Sequence, residues 1–183
     1  MQEQAIGFVE TCSIAAGIAV ADACVKRAEV ELLEARPICP GKFMVLFRGD
    51  MSQVQKALEA GAGAACDALV DQLFLPRVHP SIFTALSLTS LPVEGEALGV
   101  IETVTAAVCI VASDAAAKAA GVNLIEIRLA DGLGGKSFVL MEGSVADVEA
   151  GLAAGVAKVS TEGLLVRKVL IERLHPAVRE KIL

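Results

Sequence analysis

The stretch AIGFVET at residues 5–11 returns as ALGVIET at residues 97–103. Each is a short apolar run that ends in Glu and Thr, as expected for a largely buried β-strand. Similarity between two distant parts of one chain indicates that a structural unit has been duplicated. The sequence therefore predicts two domains of the same fold, the first over residues 1–92 and the second over residues 93–183.

Further residues support the duplication because they recur in the same order. Their separation is 92 positions in the first half of each copy, 94 after its central loop and 96 near its end, which indicates small insertions in the second copy. The linker at residues 89–96 is polar and contains Pro and Gly, as linkers do. The recurring pairs are Asp22 with Asp114, Lys26 with Lys118, Gly41-Lys42 with Gly135-Lys136, and Arg77 with Arg173.

Both copies contain alternating strand and helix patterns. Ser144 is predicted to cap a helix over residues 145–159 of the second copy. Alternation of strands with helices predicts an α/β or α+β sandwich, with the sheet of each copy covered by helices. The strands predicted in the first copy cover 5–10, 30–38, 43–48 and 69–78. Its predicted helices cover 14–28, a stretch that Asp50 or Ser52 caps and that runs to 68, and a short helix that starts at 79–81 and ends at 86.

The composition argues against several classes of protein. Hydrophobic residues make up 55% of the chain and the mean hydropathy is +0.63, yet charges interrupt each apolar stretch before the roughly 20 residues of a membrane span. The first residues lack the basic and apolar regions of a leader peptide. A net charge of −6 without Trp or Tyr argues against nucleic-acid binding. The high apolar content instead predicts surfaces that other subunits cover.

Residues 130–137, ADGLGGKS, match a relaxed phosphate-loop pattern. A phosphate loop leads directly into a helix whose N-terminus faces the phosphates, whereas the residues after this one predict a strand. We therefore interpret it as a Gly-rich turn. The repeated residues His79 and His175, and Glu10 and Glu102, are interpreted as structural, since duplication alone would repeat them. No catalytic arrangement is predicted.

The five cysteines include no CxxC pair. Their odd number, together with the missing leader, predicts a reducing compartment without disulfides. Four of them lie in apolar or Ala-rich surroundings, which predicts small core residues. These four are Cys12, Cys24, Cys66 and Cys109.

Cys39 differs from these four because it lies in the stretch PICPGK, at residues 37–42, between two apolar runs. The flanking prolines stiffen the backbone, and Gly41 allows a conformation that other residues avoid. The stretch therefore predicts a tight turn that presents the thiol outward. The matching loop of the second copy contains no cysteine, so duplication does not account for Cys39.

These features resemble the shell proteins of bacterial microcompartments, specifically the tandem-domain trimeric type with non-permuted element order. The resemblance covers nearly the whole chain, twice. The stretch ICPGKF at residues 38–43 is similar to the pore of the iron–sulfur-carrying trimeric type from the propanediol-utilisation compartment. The other matching features are the AIGFVET opening, Asp22-Ala-x-x-Lys26, Gly41-Lys42 before a strand ending in Arg-Gly-Asp, and the closing residues Pro76 to Pro80.

The resemblance implies a structural protein of a microcompartment shell in the cytoplasm rather than an enzyme. Three chains would form a flat pseudo-hexamer with a central pore lined by the Gly-Lys turns, and this homotrimer would contact other shell proteins at its edges. The residues alone would indicate only solvated surface charge at these edge positions. The positions that match the family's tile edges are Lys26, Lys118, Arg77 and Arg173.

Threefold symmetry would bring three Cys39 thiols to the axis of the trimer. Three equivalent thiols cannot all pair as disulfides, whereas a [4Fe–4S] cluster has a threefold axis and thiolate ligands. The resemblance thus implies one [4Fe–4S] cluster per trimer, held by Cys39 and supported by the backbone amides of Gly41 and Lys42 and by the charge of Lys42. The cluster would carry electrons across the shell, with encapsulated redox enzymes as candidate partners.

Three other hypotheses stay open at this point. The chain could be a plain tile with an open metabolite pore and a free Cys39 thiol. It could instead be a trimeric metabolite-binding or signalling protein with the same elements. An enzyme is the third alternative.

Overall fold

The computed structural model of the chain describes residues 4–93, 95–159 and 163–182. It divides into two compact units, Met1–Val78 and His79–Leu183. Glu94 of the predicted linker lies outside the described residues, as do residues 1–3, on which the expectation about a leader depends. No helix in the described ranges is long and apolar enough to cross a membrane.

The first unit is a four-stranded antiparallel sheet with two helices, in the strand order β2-β3-β1-β4. Helix α1 begins after Ser13, whose hydroxyl accepts a hydrogen bond from the Ala16 N–H and so caps the helix. The elements are β1 (Gln4–Thr11), α1 (Ile14–Arg27), β2 (Glu31–Ile38), β3 (Lys42–Asp50), α2 (Met51–Ala65), a 3-10 turn (Cys66–Ala68) and β4 (Leu69–Leu75).

The second unit repeats this order, with sheet order β6-β7-β5-β8, which confirms the duplication and the predicted sheet-and-helix fold. Ser144 caps α5 as predicted, since its Oγ accepts the Asp147 N–H at 3.1 Å. The elements are α3 (Ser81–Leu86), β5 (Ala97–Thr103), α4 (Ala106–Ala119), β6 (Asn123–Leu129), β7 (Ser137–Gly143), α5 (Val145–Val159), β8 (Leu165–Ile171) and α6 (Pro176–Ile182).

The core of the first unit lies between its sheet and the helices α1 and α2. Val9 of β1 and Phe47 of β3 are fully buried there. Gly7 is opposite Phe47 in the strand register, and a Cβ at Gly7 would lie 2.2 Å from the Phe47 ring. The glycine of the repeated strand motif is therefore required by the close approach of an aromatic ring.

Helix α3 is placed differently from what its position in the sequence suggests. The repeat assigns residues 79–86 to the first copy, but α3 packs against β6 and α4 and belongs to the second unit. Ile82 and Ala85 of α3 are fully buried. The apolar face of this short helix is thus covered.

Gly17→Ala should destabilise the first unit. A Cβ at Gly17 would lie 2.5 Å from Phe43 Cβ, close to the backbone of β3, so the strand or helix must shift. Overpacking of this kind costs about 1–3 kcal/mol. We expect a lower urea midpoint for the variant, measured by circular dichroism.

Gly63→Ala is the matched control, because it makes the same change in α2 where a Cβ would meet no atom within 4 Å. It should leave the urea midpoint unchanged or raise it, by up to about 1 kcal/mol in stability. Equal midpoints for the two variants would contradict the close packing of α1 on β3.

Candidate functional site

Cys39 lies at the end of the hairpin formed by β2 and β3. Ile38 is paired with Lys42 across the hairpin, so the turn consists of Cys39, Pro40 and Gly41. Gly41 adopts a φ of +67°, a left-handed conformation that side chains disfavour. The Cys39–Pro40 peptide bond is cis. Cys39 is exposed, as its sequence context predicts.

Lys42, the first residue of β3, is held by an ion pair at the base of this turn. Its Nζ lies 2.6 Å from Glu10 Oε1, and the Glu10 side chain is only 4% exposed. A buried carboxylate requires such a partner. Glu10 is therefore a structural residue, as interpreted from the sequence, but its partner was missed because it lies 32 positions away.

The matching loop of the second copy is longer and has a different composition. Residues 130–136 separate β6 from β7, and Gly132, Gly134 and Gly135 have positive φ. A strand follows the loop, which confirms that it lacks the helix that a phosphate loop needs. Lys136 forms an ion pair with Glu102, which repeats the pair at the base of the first turn.

The other cysteines fall into two groups. Cys24 and Cys109 are buried in the cores of their units, and desolvation raises the pKa of the Cys24 thiol to about 11 and that of the Cys109 thiol to about 12. These thiols stay protonated and unreactive near neutral pH.

The expectation that Cys12 and Cys66 are core residues is wrong, because both side chains are exposed. Cys12 comes directly after β1, and Cys66 comes directly after α2 with a φ of +49°. Each therefore lies at the end of its element, where the apolar pattern of the sequence no longer indicates burial.

A single chain offers one thiol at this turn. Within the described ranges, no group of three His, Cys, Asp or Glu side chains is placed to hold a metal ion. The turn leaves space around Gly41, where an added Cβ would meet no atom within 4 Å. The turn thus presents one exposed thiol with open space beside it.

The positions predicted to lie at tile edges are exposed. Lys26 Nζ lies 2.6 Å from Asp22, and Lys118 Nζ lies 2.5 Å from Asp114, so the two lysines are held in the same way. Arg77 is exposed, as is Arg173.

His79 has the structural role predicted for it at a helix start. Its Nδ1 lies 2.7 Å from Ser81 Oγ, and its backbone N–H donates to Asp114 Oδ1 at 2.8 Å. The bond to Asp114 was missed because the two residues are 35 positions apart.

Known proteins are similar to this chain over one or both of its copies. The family described as BMC domain matches residues 5–78 and again residues 97–174. The chain is 40% identical to the bacterial microcompartment shell protein PduT of Citrobacter freundii over 175 residues, which cover 96% of this chain and 95% of that protein. It is 46% identical over 65 residues to the shell protein PduA of Citrobacter freundii, covering 36% of this chain and 70% of PduA.

A solved structure supports the fold over the full length. The crystal structure of a microcompartment protein from Desulfitobacterium hafniense DCB has a TM-score of 0.93 and 48% sequence identity, covering 97% of this chain and 98% of that one. Together with the two BMC domain matches, this agreement covers both copies and their order. The chain therefore belongs to the BMC domain family of bacterial microcompartment shell proteins, with two such domains in tandem.

Proposed function

We propose that the chain is a structural tile of a microcompartment shell in the cytoplasm, not an enzyme. In this proposal three chains form a flat pseudo-hexamer around a central pore, with domains 1–92 and 93–183 in alternating places. The observation that carries the proposal is the presence of two equivalent units in one chain that matches PduT over nearly its whole length. Because each chain has two units, three chains supply the six units of the proposed pseudo-hexamer.

The proposed pore carries a [4Fe–4S] cluster, one per trimer, bound by Cys39 from each subunit. The supporting features are the exposed thiol on a stiff hairpin turn and the absence of a cysteine from the matching turn of the second copy. When bound, the cluster supplies one-electron redox chemistry. The Cys39 residues of three chains would provide three thiolate ligands, and in each chain a Cβ added at Gly41 would meet no atom within 4 Å.

Lys42 contributes to this site through its charge and its backbone amide. Its ammonium group is paired with the buried Glu10, which fixes the ammonium group at the base of the turn. Charged and backbone hydrogen-bond donors beside the ligands of a cluster orient those ligands and tune the cluster. We propose Gly41 and Lys42 as the supporting residues of the cluster.

The proposed partners are other shell proteins at the tile edges and encapsulated redox enzymes that exchange electrons with the cluster. The edge residues in this proposal are the exposed Lys26, Lys118, Arg77 and Arg173. The two lysines are held by aspartates in equivalent ways in both units, as six similar tile edges require.

Cys39→Ser should remove the cluster and leave the trimer intact. The thiol is exposed on a turn, so the packing of helices and sheets does not depend on it. In protein purified without oxygen, we expect about four irons and four sulfides per three chains, and close to none in the variant.

Cys12→Ser serves as the matched control, because it removes another exposed thiol and should keep the full iron content. A colourless, iron-free trimer of the parent chain would instead favour the plain tile with an open pore and a free Cys39 thiol. Dissociation of the Cys39→Ser variant would contradict the separation of cluster binding from assembly.

Alkylation of the thiols should report occupancy of the site. In the iron-free protein at mildly alkaline pH, Cys12, Cys39 and Cys66 should react, because they are exposed. Cys24 and Cys109 should not, because burial raises the pKa of each thiol. In the iron-loaded protein Cys39 alone of the exposed three should be protected, as measured by peptide mass spectrometry. Equal labelling of Cys39 in both forms would count against cluster binding.

Lys26→Ala should weaken the assembly of tiles into sheets without changing the iron content. Lys26 is 72% exposed and lies outside the turn that carries Cys39. Because Lys118 occupies the equivalent position, the double variant Lys26→Ala with Lys118→Ala should lose the sheets entirely, as seen by electron microscopy. Normal sheets from the double variant would remove the edge assignment.

A further inference from the structure

Strand β8 forms one edge of the sheet of the second unit. Within the described ranges it pairs with β5 and with no other strand. Four successive residues of β8 are exposed, namely Val166, Arg167, Lys168 and Val169. An exposed edge strand presents unpaired backbone N–H and C=O groups, and a strand of another chain can pair with them.

The register of β8 with β5 sets the faces on which its side chains lie. Arg167 is opposite Glu102. The next residue, Lys168, is opposite Ile101. Because successive side chains of a strand point to opposite faces of the sheet, Arg167 and Val169 lie on one face and Lys168 lies on the other. The edge therefore carries one basic residue on each face.

A β-bulge limits the length of this edge. The register shifts between Glu102 and Thr103 of β5, which leaves Val166 as the extra residue of β8. A bulge interrupts the regular ladder of hydrogen bonds at its position. A strand added to this edge would therefore run along residues 167–171.

The two basic side chains of the edge keep their positive charge uncompensated. Glu102, which is opposite Arg167, forms its ion pair with Lys136 instead. Among the residues that the structure describes, neither Arg167 nor Lys168 takes part in an ion pair. The chain as a whole has a net charge of −6, so this basic edge contrasts with its surroundings and favours an acidic partner.

The equivalent edge of the first unit shows that the fold does not require these charges. Strand β4 occupies the same position in its sheet, and its register with β1 shifts at the equivalent place. The counterparts of Arg167 and Lys168, 96 positions earlier, are Asp71 and Gln72. The positive charge of the edge is therefore a feature of the second copy alone.

These charges also act against pairing of β8 with β8 of a second copy. In an antiparallel pair centred on the two basic residues, Arg167 would lie opposite Lys168. Like charges directly opposite one another destabilise a sheet. The edge is thus protected from its own kind, while a strand with acidic residues at these positions would be attracted.

We propose that β8 is a docking edge for an extended acidic segment of another protein, which adds to the sheet as a fifth, antiparallel strand. Carboxylates of the segment lie opposite Arg167 and Lys168, and an apolar side chain lies opposite Val169, which is 37% exposed. Main-chain hydrogen bonds supply affinity in such a complex, and the side-chain pairs supply specificity. The site belongs to a single chain, so it depends neither on the trimer nor on the cluster proposed above.

The test titrates the full chain against a fluorescein-labelled peptide, Thr-Ile-Val-Glu-Glu-Thr, and follows binding by fluorescence anisotropy. We expect saturable binding that weakens as the salt concentration rises, because the charges are exposed. The double variant Arg167→Glu with Lys168→Glu should raise the dissociation constant about 10-fold or more, since two opposite-charge pairs become like-charge pairs. The same variant should bind the peptide in which Lys replaces both Glu residues, and this gain shows that the variant is folded.

Lys56→Glu is the charge-matched control, because Lys56 is exposed on α2 of the first unit, away from β8. It should leave the dissociation constant unchanged. A peptide with N-methyl groups on alternate residues cannot pair with a strand edge and should not bind. Equal binding of the N-methylated peptide, equal effects of Lys56→Glu and the double variant, or no binding of the acidic peptide to the parent chain would each overturn the proposal.

Discussion

Burial of one face of β1 and β5 beneath a pair of helices is the interaction on which each unit depends. In the first unit, α1 and α2 pack against Val9, Val45 and Phe47 on one face of the sheet. A shift in the register of the central strands would expose these side chains to solvent. The hairpin of β2 and β3 is part of the same sheet. The position of the turn that carries Cys39 is therefore set by the core, although the turn itself contributes nothing to it.

The two copies share the same kind of core but differ in the turn between their second and third strands. The residues that stabilise the fold are therefore different from those that could carry chemistry. In both copies a lysine at or near the start of the third strand pairs with a glutamate of the central strand, Lys42 with Glu10 and Lys136 with Glu102. Between these fixed points the first copy has a three-residue turn with a thiol, and the second has a Gly-rich loop. Because the ends of each turn are held by the sheet, the residues between them could diverge without loss of the fold.

The sequence alone predicted the features that repeat at short range. The duplication, the element order, the helix cap at Ser144 and the exposure of Cys39 all follow from local patterns or from the recurrence of such patterns. The errors concern Cys12 and Cys66, which are exposed. Each lies at the end of a strand or helix, where the spacing of apolar residues no longer indicates which side chains are buried.

Contacts between distant residues could not be predicted in the same way. The bonds from Lys42 to Glu10 and from His79 to Asp114 join residues 32 and 35 positions apart, and no local pattern indicates either. The packing of α3 against α4 and β6 could not be predicted either, since the repeat defines copies and not contacts. The one available signal was that each of these residues recurs in both copies, which identified them as structural but left their partners unknown.

In the proposed trimer, tandem duplication would let a ring with sixfold shape hold a ligand with threefold symmetry. A ring of six identical single domains with this cysteine would bring six equivalent thiols to its axis. That is twice the number of thiolate ligands proposed for the [4Fe–4S] cluster. A chain in which only the first turn carries a cysteine brings three. Divergence of one turn after duplication could therefore change the chemistry at the axis while the edges and contacts that build the ring stayed equivalent.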